Sequence, residues 1–190
     1  MTKIGLIRHG CTDWNKQGRA QGHSDIPLCE EGYGQAEKLA NRLVGETWDV
    51  IYSSDLKRAK QTAETISGKI KDIDIHLDVR LRERYGGQIE GTTVDERVEK
   101  WGDHWRELDL GMETGWEISE RGMACLEEII ASHRDENILV VSHGAFIKQL
   151  LRTLFPNKDV EGSLENCSVT VLETEGGTWD LTLHNCVKHI

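Results

Sequence analysis

One pattern occurs twice in the chain and restricts the fold more than any other feature. Ile4-Gly5-Leu6-Ile7-Arg8-His9-Gly10 and Ile138-Leu139-Val140-Val141-Ser142-His143-Gly144 both run from an apolar stretch into a polar residue, a histidine and a glycine. A short apolar run halted by glycine fits a strand buried on both faces, as in a parallel sheet. Segments 3–7 and 137–141 are therefore predicted strands, with further strands at 49–52 and 74–77. Glu30–Leu43 places Ala36, Leu39, Ala40 and Leu43 at helical spacing, and Leu56, Ala59, Ala63 and Ile66 repeat it after Ser53, Ser54 and Asp55, which are predicted to cap that helix. A further helix is expected over 145–155, ended by Pro156. Segments 167–173 and 178–184 flank Gly176-Gly177 as a hairpin. Strands alternating with helices predict a three-layer α/β/α fold with a mainly parallel sheet and an antiparallel C-terminal hairpin.

The 190 residues suit a single domain, 1–190, with no linker or repeat. Residues 90–134 are charged and helical in character and carry Trp101, Trp105 and Trp116; they are predicted to form a helical appendage over the site. Those tryptophans either pack the appendage onto the body or line a substrate pocket. With 23 Lys and Arg against 33 Asp and Glu, the formal charge of −10 argues against nucleic-acid or anionic-membrane binding. The apolar opening is too short for a leader or a membrane span. Five scattered cysteines, Cys11, Cys29, Cys125, Cys167 and Cys186, with no C-x-x-C pair, argue against a disulfide framework or zinc ribbon and for a cytoplasmic setting.

Ligands of open α/β sheets bind beyond the carboxyl ends of the strands. If strands 3–7 and 137–141 are neighbours, His9 and His143 face one crevice. Arg8 adds a guanidinium fork suited to phosphate or carboxylate. Arg58 falls in the first turn of a helix, where anions are favoured, and would form a third wall. The chain has no P-loop, no dinucleotide-binding glycine motif after its first strand, no G-x-S-x-G and no H-E-x-x-H. Two histidines with Glu83 could hold a metal, but the flanking arginines would repel a cation, so neither a metal nor a cofactor is expected.

Residues 6–15, Leu-Ile-Arg-His-Gly-Cys-Thr-Asp-Trp-Asn, resemble the R-H-G-x-T-x-x-N signature of the histidine phosphatase superfamily, the phosphoglycerate-mutase-like proteins. The resemblance continues through Gln21-Gly22, Asp25-Ile26-Pro27-Leu28, Glu31-Gly32, the run from Ser54 to Thr62, Arg80-Leu81-Arg82-Glu83, Glu90-Gly91 and Val141-Ser142-His143-Gly144, in the family's order. It implies that His9 is the nucleophile that becomes phosphohistidine. It makes Arg8, Arg58 and His143 the clamp on the phosphoryl oxygens, with Asn15 donating an amide and Gln21 reaching in from the loop after the first strand. Gly10 and Gly144 would let the backbone approach the substrate. Glu83 becomes the general acid and then the base, a role that calls for burial or a nearby carboxylate to keep its proton; Glu90 is the rival, in an element that is more often structural.

Cys11 stands where many relatives carry Glu or Gln, and a thiol there is expected to make activity sensitive to oxidation. Gly86-Gly87-Gln88-Ile89 replaces more usual acidic and aromatic residues, so the loop after Glu83 is expected to be shaped differently. Mutases of the family carry a longer insertion between acid and second histidine. Residues 84–142 leave less chain to close the site, which favours hydrolysis over the alternative, a cofactor-dependent phosphoglycerate mutase. A non-catalytic phospho-ligand binder would lack a nucleophile, clamp arginine or acid, and here all are present. The expected partner is a small phosphorylated metabolite, with a homodimer left open.

Overall fold

The computed structural model describes all 190 residues. Its sheet has six strands: β1 (Thr2–Arg8), β2 (Val50–Ser53), β3 (Asp74–Leu77), β4 (Asn137–Ser142), β5 (Val169–Glu175) and β6 (Thr178–Cys186), in the order β3-β2-β4-β1-β5-β6. The first four in that order run parallel, while β5 and β6 are antiparallel to their neighbours. Side chains alternate across a strand, so the two central strands feed two cores. Ile4, Leu6, Ile138 and Val140 face one helical layer, α5 (Gly115–Ser132) with α6 (Gly144–Leu154). Ile7, Leu139 and Val141 face the other, α2 (Glu30–Leu43) with α3 (Lys57–Ser67). Both faces of β1 and β4 are thus buried, as their unbroken apolar runs require. No helix is long and apolar enough to cross a membrane.

Two expectations are corrected. The segment read as an appendage divides: α5 supplies Ile118, Leu126 and Ile129 to the first core and belongs to the body. Only the stretch through α4 (Val94–Trp101) and the 3-10 turn Trp105–Glu107 lies outside the main layers. It is stitched to the loop after α1 (Asp13–Lys16), where Ala20 donates to the Thr92 carbonyl and accepts the Gly91 N–H, and Arg19 pairs with Glu96 at 2.8 Å. Within it Trp105 is buried between the Arg97 and Arg106 guanidiniums, 5.0 and 4.3 Å from its ring, whereas Trp116 on α5 is 69% exposed.

Nor do Ser53 and Asp55 cap α3, whose N-cap is Leu56. The Lys57 N–H donates instead to Asp25 Oδ1 at 2.7 Å, and Asp55 is drawn away into a two-pronged ion pair with Arg82. Ser54 keeps part of the role, its Oγ accepting the Leu56 N–H at 3.3 Å.

Candidate active site

Parallel pairing of β1 with β4 sets Arg8 opposite Ser142, so the residues after each strand leave the sheet side by side. His9 and His143 are buried with ring centroids 5.1 Å apart. On the other flank of β4, β2 delivers Ser54, whose Oγ lies 2.8 Å from His143 Nε2. The His9 Nδ1 sits 2.7 Å from the Gly10 carbonyl, which can only accept, so Nδ1 carries the ring proton and Nε2 keeps its lone pair. Asn166 donates to the His9 carbonyl at 2.8 Å and locks the backbone behind the ring.

Arg58 is fully buried and spends two nitrogens on the loop after α1, donating to the Ser24 carbonyl and the Gly22 carbonyl at 2.8 Å each. Arg8 is anchored by a bond to the Leu164 carbonyl. Arg58 Nε, Arg8 Nε, His143 Nδ1 and the Gln21 amide oxygen remain buried without a protein partner. Buried polar atoms are nearly always satisfied, and the orphaned nitrogens of two arginines and His143 are what an anion site requires, whereas the Gln21 oxygen, an acceptor, would serve one only with its amide turned over. Burial first, then the opposing pull of Glu83, Asp25 and Glu90, leaves Arg58 lowered to about 10, still a cation at neutral pH.

Burial, then the Arg58 and Arg8 charges, holds His9 well below the ordinary 6.5. Burial, Arg58, His9 and Arg8 do the same to His143. Both rings are neutral near pH 7. As pH drops through 6.5 the unfolded chain takes up protons that the folded rings refuse, so stability falls on acidification from there to their depressed folded values. The slope should reach about 1.4 kcal/mol per pH unit for each ring within that window. Denaturant unfolding at pH 7 and pH 5.5 measures this; a slope unchanged in His9→Ala would contradict it.

Glu83 lies between two arginines, but neither pairs with it: Arg82 holds Asp55, and Arg84 donates to the Glu113 carbonyl at 2.6 Å. The half-buried carboxylate instead meets the N-terminus of α6, accepting from Phe146 N at 2.9 Å and Arg84 N at 2.8 Å on Oε1 and from Ala145 N at 3.1 Å on Oε2. A carboxylate has about four lone-pair sites, so one remains, on Oε2. Its setting is N–H donors, where burial or a second carboxylate was expected, because β4 ends beside it and α6 begins there. Arg8, Glu83, Gly144, Ala145, Lys148 and Ser163 share one cavity of about 350 Å³. None of Trp101, Trp105 and Trp116 lines it.

The other expected residues separate. Asn15 Oδ1 accepts from Thr12 N and Oγ1, each at 3.0 Å, which identifies the other end of the amide as the NH2 donor. Gly144 lines the cavity against Arg8. Gly10 spends its backbone groups within the fold: its N–H donates to Thr62 Oγ1, and its carbonyl holds His9. What it permits is packing, since a Cβ there would sit 2.6 Å from the Gly32 carbonyl of α2. Glu90 is bound into the fold, taking N–H bonds from His23, Ser24 and Gly86 at 2.9 Å each and the Ser24 hydroxyl at 2.6 Å. Burial alone would raise it, but those bonds hold it lowered. It fixes the loop whose carbonyls grip Arg58. Burial, then the neighbouring Cys29 thiol, pushes Cys11 up to about 11, which disfavours the thiolate that the expected oxidation sensitivity calls for.

Sequence reasoning missed Arg121 on α5. It donates to the Arg80 and Arg82 carbonyls at 2.6 and 2.8 Å and to the Glu83 carbonyl at 3.2 Å while paired with Glu113, and so fixes the segment that presents Glu83. No local motif marks it, because its partners lie about forty residues away.

The sequence profile of the histidine phosphatase superfamily (branch 1) matches residues 4–187. An uncharacterized phosphatase, PhoE, of Bacillus subtilis is 34% identical over 193 residues, covering 100% of this chain and 97% of that one. Among solved structures, YhfR of Bacillus stearothermophilus superposes with a TM-score of 0.90 at 31% identity, covering 100% of this chain and 99% of the other. A phosphoserine phosphatase mutant from Entamoeba histolytica in complex with phosphoserine gives 0.85 at 32%, with 100% of both chains covered. A match along nearly the whole chain, on a fold that brings the two histidine–glycine turns together, makes this protein a member of the histidine phosphatase superfamily, branch 1.

Proposed function

We propose that the protein is a phosphatase that hydrolyses small phosphate monoesters through a phosphohistidine on His9, with no metal in the reaction. The observation that carries this reading is the neutral His9 ring, its Nδ1–H fixed on Gly10 and its Nε2 lone pair unengaged beside the charges of buried Arg58 and half-buried Arg8. Nε2 attacks phosphorus as the bond to the leaving oxygen breaks, and Glu83 in its protonated form gives that oxygen a proton from Oε2. The Glu83 carboxylate then takes a proton from water; the water oxygen attacks the phosphohistidine, and phosphate departs as the P–N bond breaks. Ser54 Oγ already accepts the Leu56 N–H and can direct its own proton to His143 Nε2. His143 Nδ1 then carries hydrogen and joins Arg8, Arg58, the Asn15 amide and a rotated Gln21 amide on the phosphoryl oxygens. Such fixed donors supply most of what phosphoryl transfer needs.

The relatives support a phosphatase, and phosphoserine in the Entamoeba complex is an example of a small monoester on this fold. The cavity of about 350 Å³ beside Arg8 and Glu83 has room for the organic part of a small metabolite. A reducing cytoplasm suits five unpaired cysteines. The test is release of phosphate from a chromogenic aryl phosphate by metal-stripped protein in chelator, with quenching to trap phosphate on His9. Failure to turn over, together with isomerisation of phosphoglycerate, would establish the mutase instead. Measured as kcat/KM, which reports transfer to His9 and not the later attack of water, Glu83→Gln should slow esters with poor leaving groups by roughly 10²–10⁴-fold, the usual size of general acid catalysis, and spare those with good ones. An equal loss across a leaving-group series would remove Glu83 from that role.

A further inference from the structure

Cys11 and Cys29 are distant in the chain, and the fold joins them where the β1–α1 turn meets the start of α2. Cys29 is the N-cap of α2, and its backbone N–H donates to the Cys11 carbonyl at 3.0 Å. One ligand atom each from Cys11, Cys29 and Glu31 lies within 4.8 Å of the others. We propose that these three side chains form a binding site for a thiophilic divalent cation, with Zn2+ as the fitting ion.

Two sulfurs and a carboxylate oxygen make a donor set typical of zinc, and three protein ligands leave the fourth tetrahedral position to water. Zn–S bonds of about 2.3 Å put ligand atoms somewhat under 4 Å apart, so side-chain shifts of roughly 1 Å close the site. Room and access are present. A cavity of about 400 Å³ opens on Cys11 and Glu31, with Gln35, Glu165 and Asn166 in its wall and neither lysine nor arginine among its lining residues. That separates it from the histidine crevice, where half-buried Arg8 and buried Arg58 repel cations. Lys16 Nζ holds Glu31 Oε2 at 2.9 Å. Two thiolates and a carboxylate against a dication and this ammonium leave no net charge, so Lys16 completes the balance. The thiol protons pass to solvent on binding, and affinity accordingly rises with pH.

Binding is read directly, independently of turnover. Reduced, metal-stripped protein is titrated with Co2+ and then Zn2+, beside Cys11→Ser, Cys29→Ser and Glu31→Gln. One equivalent of Co2+ should bind with a thiolate-to-metal charge-transfer band, and Zn2+ should displace it. Either serine variant keeps one thiolate, so it should lose about half of the band's intensity per bound Co2+ and bind at least about tenfold more weakly, since even outer-shell partners are worth roughly 10–100-fold. Circular dichroism checks that each variant is folded, and serine is itself a good N-cap at position 29. Absence of stoichiometric binding, binding without the thiolate band, or an unchanged band in folded Cys29→Ser would each overturn the site.

Discussion

His9→Ala should leave a folded protein that no longer turns over, with a loss on the order of 10⁴-fold or more, as for removal of other covalent nucleophiles. In transition-state terms that is at least about 5 kcal/mol. The substitution removes the atom that accepts phosphorus and nothing that the fold needs. The ring makes one hydrogen bond, to the carbonyl of the next residue, and the backbone behind it stays held by Ser142 and Asn166. Arg8, Arg58 and His143 also stay, so the variant should still bind a phosphate ester. Steady-state hydrolysis, phosphate trapping and equilibrium binding of a slow ester together test this. Turnover within tenfold of wild type would remove His9 from the nucleophile's place; loss of binding along with turnover would show that the clamp depends on the ring.

Arg58→Ala should lower kcat by roughly 10³–10⁵-fold, the range for a guanidinium that stabilises phosphoryl-transfer charge. Its buried Nε faces no protein acceptor, while its other nitrogens hold Gly22 and Ser24. The variant therefore loses both a cation and the brace of the loop that carries Gln21, and some stability goes with it, because two carbonyls lose donors. Arg58→Lys separates the effects: it restores charge without the fork and should recover only part of the rate. The pH profile gives a readout that a merely structural role would not move. Arg58 helps hold His9 well below its ordinary value, second only to burial. Without that charge the ring protonates at higher pH, and the acidic limb of kcat/KM should shift upward. A limb that stays in place would contradict the charge coupling.

Much of the architecture was legible because it rests on local pattern. The bounds Glu30–Leu43 and Asp74–Leu77 came from apolar spacing and turn residues alone, and the observed elements coincide with them. The start of α5 was also written locally, since Thr114 and Glu117 form a capping box. It escaped notice because a charged composition drew 90–134 into one segment. Asp55 misled for the opposite reason: it has a capping residue's chemistry, but it stands one residue before the N-cap, Leu56, and its carboxylate is held by the Arg82 fork.

The chain's own pattern determined two buried strands that each end in histidine and glycine, two arginines placed for an anion, and hence the family's site in outline. Local sequence carries that much because side-chain periodicity and turn chemistry act over a few residues. Only the tertiary structure decided who meets whom. The β1–β4 register brings His9 and His143 together, the start of α6 takes up Glu83, Arg121 braces that segment from α5, and α2 carries Cys29 to Cys11. Each is a contact between residues distant in the chain, selected by sheet order and helix packing, and no short-range spacing encodes it.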